Sequence, residues 1–214
     1  MRIVQVSQLV AAFFLGIGQA SGAVQVYYYS GPVSGWLEAA LAPAPGYGGF
    51  VAEFGTLTET LYYDPVAHTL RIAGSITVGP SKGHFDMGNI LDETVGSATL
   101  TVGHGGVVSF DYLTTYDGAQ FKGTLLVPVK GVGVYEGKRF NRGWHVSIPL
   151  DTQIIAVSSK SLTFSQFAFG GGDEAKEVIS TDEGDLWDGS SDLTYGLGYN
   201  LDSVVASVVP RYWH

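Results

Sequence analysis

Along the chain, the hydrophobic period that recurs is two, the spacing of a pleated strand with one buried face. Over residues 69–78, Leu70, Ile72, Ile76 and Val78 take one side while Thr69, Arg71, Ser75 and Thr77 take the other. Residues 58–63 are the expected partner, because 64–68 (DPVAH) joins a helix-blocking proline to a turn-forming aspartate. A second hairpin follows the same logic. Ala98, Leu100 and Val102 alternate with Ser97, Thr99 and Thr101, the turn 103–106 (GHGG) comes next, and Val108, Phe110 and Tyr112 then share a face.

Residues 116–119 (YDGA) read as a further turn into a strand over 120–130, where Pro128 predicts a sheet edge or a bulge. Trp144, Val146 and Ile148 alternate with His145 and Ser147. Residues 153–157 pair with 161–169 across 158–160, and the step from Leu162 and Phe164 to Phe167 and Phe169 predicts a bulge that keeps all four on one face. The run 204–209 is strand-like up to Pro210. About ten short strands at this spacing predict an all-β fold, an antiparallel, jelly-roll-like β-sandwich, with a small closed β-barrel as the alternative.

Helix is expected in two short places only. Residues 36–42 (WLEAALA) follow Ser34, and residues 173–179 (DEAKEVI) follow the glycine break at 170–172. Neither is long enough for the crossover of a parallel sheet.

The first residues belong to a different regime. A positive start at Arg2, an apolar run over 9–17 too short to span a bilayer, and small residues at 18–23 (GQASGA) predict a signal peptide over 1–23. Residues 24–214 then form a single all-β domain that works outside the cytoplasm, in the periplasm or beyond.

Composition narrows the chemistry. Charged residues are only 14% against 45% hydrophobic, which excludes a disordered chain, and a net charge of −9 disfavours nucleic acid and anionic lipid. No basic stripe interrupts that charge except Lys138, Arg139 and Arg142. Cysteine is absent, so thiolate sites and disulfides are excluded and stability must come from packing and sheet hydrogen bonds. An exported chain without disulfides suits a bacterial source.

Catalytic signals are weak. Residues 79–83 (GPSKG) match the G-x-S-x-G spacing, yet no helix follows to expose Ser81. Residues 131–137 (GVGVYEG) misplace the third glycine of a dinucleotide loop and likewise lead into no helix. The histidines 68, 84, 104, 145 and 214 form no chelating pair, and the carboxylates Glu53, Glu59, Asp111 and Glu136 are scattered.

Two stretches hold candidate sites. Asp182, Glu183, Asp185, Asp188 and Asp192 lie in a glycine-punctuated acidic segment, a possible calcium loop of oxygen ligands, although the spacing is not that of an EF-hand. Trp187, Tyr195 and Tyr199 lie near it and are the candidate ligand-stacking aromatics, for a glycan or a surface protein. The sequence thus predicts an exported binding or structural β-protein. The alternatives are a small outer-membrane barrel and a secreted glycan-active enzyme.

Overall fold

The computed structural model describes residues 23–41, 49–88, 93–135, 137–174, 180–181, 184–185 and 193–209. Among them every regular element is a strand and there is no helix. In chain order these are β1 (Gln25–Pro32), β2 (Ser34–Leu41), β3 (Gly49–Asp64), β4 (Thr69–Gly79), β5 (Lys82–Gly88), β6 (Thr94–Val102) and β7 (Val107–Leu113), followed by β8 (Thr115–Tyr116), β9 (Phe121–Tyr135), β10 (Lys138–Val157), β11 (Ser161–Glu174), β12 (Ser180–Thr181), β13 (Gly184–Asp185) and β14 (Leu193–Val208). The pairings are antiparallel throughout, and β12 and β13 pair only with each other.

Strand length explains how one sheet makes two shapes. β1 and β2 follow one another in a single channel, interrupted at Val33, and each hydrogen-bonds both β3 and β14, which closes a circuit of four strands. A wider circuit runs β1, β3, β4, β7, then β8, β9, β10, β11, β14 and back to β1, with β8 continuing β7 past Thr114. At the other end the sheet opens. β10 pairs with β11 only from Asp151 and Phe167 onward, so the first half of β10 leaves with β9, while the second half of β11 stays with β14. Two layers result, β5-β6-β9-β10 and β3-β2-β14-β11. Phe50 of β3 fills the space at Gly83 of β5, where an added Cβ would fall 2.2 Å from a ring carbon.

One apolar interior serves both ends. Leu37, Ala39 and Ala52 of one layer and Met87, Leu100 and Val146 of the other belong to one buried cluster, which also takes in Leu57, Leu61, Ile72, Leu162 and Phe164. Trp144, Tyr27 and Phe164 are among the largest fully buried side chains, and burial of such groups stabilises by about 1.5–3 kcal/mol each.

Most strand expectations hold. The 58–63 and 69–78 pair forms the β3–β4 hairpin, with Asp64 Oδ1 accepting from the Val66 and Ala67 amides at 2.9 and 3.0 Å. Asp117 caps its turn in the same way, accepting from Gln120 and Ala119, and those bonds hold its carboxyl below the ordinary range. Trp144, Val146 and Ile148 all point inward. Pro128 lies where β6 has just ended, and its carbonyl accepts from Gly103 at 2.8 Å. Since a strand residue directs N–H and C=O to one edge, the missing N–H forfeits no ladder bond there.

Four expectations need correction. Residues 36–41 are not helix but β2, because β3 and β14 hydrogen-bond both its edges, and tertiary pairing overrides the helix preference of Leu, Glu and Ala. Of the second helical stretch, Asp173 and Glu174 end β11 and residues 175–179 lie outside the described residues. β6 and β7 share a tight turn with the His104–Val107 bridge but do not pair along their length: β6 joins β5 and β9, and β7 joins β4. Finally, the bulges beside β11 lie in its partners. β14 spends three steps from Leu201 to Val204 where β11 spends two, with Ser203 at φ 45°, and β10 carries an extra residue between Ile154 and Ala156. β11 itself keeps alternating. Gln166 and Ala168 therefore follow Leu162 and Phe164 inward, and Phe167 and Phe169 face solvent.

Candidate functional site

The outer face of the β3-β2-β14-β11 layer carries a strip of aromatic surface on a floor of glycines. Register places Glu53, Trp36, Gly198 and Phe169 in one row across four strands, and Val51, Glu38, Gly196 and Gly171 in the next. Paired residues of antiparallel strands project to the same side. Leu37, Ala39, Ala52, Leu197, Tyr199 and Ala168 take the inner positions, so Trp36, Glu38, Glu53 and Phe169 are left outside.

The glycines let the indole lie down. A Cβ on Gly198 would fall 2.9 Å from Trp36 Nε1, and one on Gly196 would fall 3.5 Å from the six-membered ring. Trp36 thus covers β14 and leans toward β11, where Phe169 is 76% exposed and Phe167 57%. Glu38, two residues along β2, and Glu53, opposite Trp36 on β3, flank the indole and supply hydrogen-bond acceptors at its border. The arrangement offers a flat apolar platform edged by carboxylates.

Where β10 and β11 part, a notch of about 210 Å³ opens beside Phe169, lined also by Pro149, Gly170, Gly171 and Tyr195. The Tyr195 ring rests against Gly172, and its hydroxyl donates to the Ser147 carbonyl at 3.3 Å, bridging the two layers. Of the aromatics expected from sequence, Tyr195 therefore reaches this notch, though from the inner side of β14 and not from the platform face. Tyr199 does not: it is 2% exposed, and its hydroxyl donates to Gln166 Oε1 at 2.7 Å inside the fold. Trp187, Asp182, Glu183, Asp188 and Asp192 lie outside the described residues, as does the signal segment 1–22, and of Asp185 only the backbone, in β13, is described.

Tyr199 belongs to a polar centre that sequence reasoning missed. Glu59 on β3 is buried, and Gln166 Nε2 donates to both its carboxylate oxygens, at 3.0 and 3.2 Å. Burial pushes the Glu59 carboxyl up from 4.5 to about 8, against the opposing pull of the Gln166 bond, so the group is mostly neutral at pH 7. Burial, then the nearby Glu59, raises the phenols of Tyr112 and Tyr199 well above 10. With 1% of its surface exposed, Glu59 braces the interior.

The other candidate chemistry disperses. Residues 79–83 connect β4 to β5, so Ser81 precedes a strand. Residues 131–135 end β9, and 137 leads into β10. Glu53 faces outward, Glu59 faces inward and Asp111 pairs with Arg71, so these three share no cleft, and Glu136 lies outside the described residues. His68 stacks on Tyr116 at 5.0 Å between ring centres. Among the described residues no group of three or more His, Asp or Glu side chains gathers as a metal site. No family model matches the chain, and no curated protein or solved structure is significantly similar to it.

Proposed function

We propose that this is an exported carbohydrate-binding protein of the cell surface or extracellular matrix, which holds an extended sugar chain on the Trp36–Phe169 strip. The observation that carries the reading is the indole laid flat over Gly196 and Gly198, with Phe169 exposed beside it. Aromatic faces stack on the apolar faces of sugar rings, and carboxylates such as Glu38 and Glu53 accept bonds from ring hydroxyls. A flat strip suits a ribbon-like β-1,4-linked chain better than a coiled one. Binding without catalysis fits the separation of Glu53 from Glu59 on opposite faces of β3.

The outer-membrane alternative has less support. Membrane barrels turn apolar side chains to lipid and polar ones inward, whereas here Leu57, Leu61, Leu162 and Phe164 face inward while Glu38, Glu53, Lys130 and Asn141 face outward.

A glycan array followed by calorimetry with cellohexaose and chitohexaose tests the proposal on wild type, Trp36→Ala and Phe169→Ala. Each substitution should weaken binding by about tenfold or more, as loss of a central aromatic contact does elsewhere. Silence across the array, or equal binding by all three proteins, would remove the sugar reading. Fractionation of expressing cells checks the location, with recovery in the periplasm or medium expected.

A further inference from the structure

We propose that the outer face of the opposite layer, β5-β6-β9-β10, is a second binding site, for an acidic polysaccharide whose carboxylates recur along an extended chain. A groove of about 780 Å³ lies on this layer, and Lys82, Lys130, Arg142, His104 and His145 border it. Register sets Lys82, Thr101 and Lys130 in one row. The two lysines are thus two strand spacings apart, about 9.5 Å between backbones, with a hydroxyl between them. The adjacent row is His84, Thr99, Val132 and Asn141, and Asp86 stands on the same face one row further, opposite Ser97, Val134 and Arg139.

A concentration of cationic residues is notable on a chain of net charge −9. Arg71 and Lys122 are paired with Asp111 and Asp117, whereas Lys82 and Lys130 have no carboxylate partner among the described residues. Both side chains are exposed. They attract an anion without paying to desolvate a buried charge, and the attraction falls with salt.

The rest of the groove selects sugar over nucleic acid. Thr99, Thr101 and Asn141 offer hydroxyl and amide groups that match a hydroxyl-rich chain. Single-stranded nucleic acid is held by bases stacked on exposed aromatic rings within a basic channel. The Trp lining this groove, Trp144, is 1% exposed. The overall negative charge also opposes the dense phosphates of a duplex far more than the sparser carboxylates of a polyuronate.

This site shares no residue with the Trp36 strip and stands or falls separately. The test is calorimetric titration of the folded protein with an oligogalacturonate, with cellohexaose and single-stranded DNA as comparison ligands, on wild type, K82E/K130E, K82Q/K130Q and W36A. Wild type should bind the oligogalacturonate at low salt and lose it as salt rises. K82E/K130E should bind at least about tenfold more weakly, K82Q/K130Q should fall between, and W36A should match wild type. Thermal melts should show both lysine variants folded, since the changes are on the surface. The proposal is overturned if the wild type fails to bind oligogalacturonate at low salt, if the charge reversals leave binding unchanged, or if DNA binds as tightly.

Discussion

Glu59 makes the stability of this protein depend on pH in a direction opposite to that of most carboxylates. The folded protein holds the Glu59 proton up to about pH 8, while an exposed glutamate in the unfolded chain releases it near 4.5. Below 4.5 both states are protonated and the group adds no pH dependence. Between 4.5 and 8 the unfolded state binds fewer protons than the folded one, so stability falls by about tenfold in the unfolding constant per pH unit. The full loss across that window is on the order of 5 kcal/mol, complete once pH passes the folded value. Glu59→Gln should remove the slope, because the amide keeps the shape and an oxygen for Gln166 Nε2 but does not titrate. Urea unfolding at several pH values from 5 to 9, with wild type and variant side by side, isolates this group from all others. The variant should gain on wild type steadily as pH rises. Parallel curves for the two proteins would refute the reasoning.

Other outcomes follow from the same geometry. Phe164→Ala should cost about 3–5 kcal/mol in chemical denaturation, whereas Phe169→Ser, five residues along the same strand but facing water, should stay within about 0.5 kcal/mol. Gly133→Ala should destabilise by about 1–3 kcal/mol, since its Cβ would fall 2.3 Å from the Ser97 carbonyl oxygen and 2.8 Å from the Phe140 ring; a neutral melt would contradict that packing. If the acidic segment containing Asp182, Asp185 and Asp188 holds calcium, EDTA should lower the melting temperature and excess Ca²⁺ restore it, and an unchanged melt retires that idea.

Much of the strand framework was legible because inward and outward positions alternate without interruption through β4, β9 and the middle of β10. Turn chemistry at Asp64 and Asp117 was legible for the same local reason: an aspartate side chain reaches the amides two and three residues ahead. The candidate site was not. Trp36 stands in a segment whose Leu, Glu and Ala favour helix in isolation, though Leu37, Ala39 and Leu41 do alternate with Trp36, Glu38 and Ala40. Phe167 and Phe169 looked inward because apolar residues usually are, and the sequence does not reveal that the compensating bulges fall in β10 and β14. The Glu59–Gln166–Tyr199 centre joins residues more than a hundred positions apart, and a glutamate amid strand residues gives no sign of which face it takes. The rows that bring Lys82 to Lys130, and Trp36 to Phe169, are properties of strand order alone.

Amide and indole NMR shifts on titration with cellohexaose test the central claim most directly. The account predicts perturbations at the Trp36 indole N–H and at the amides of Gly196, Gly198 and Phe169, with the β5-β6-β9-β10 layer unmoved. Shifts clustered on that other layer, or none at saturating sugar, would contradict it.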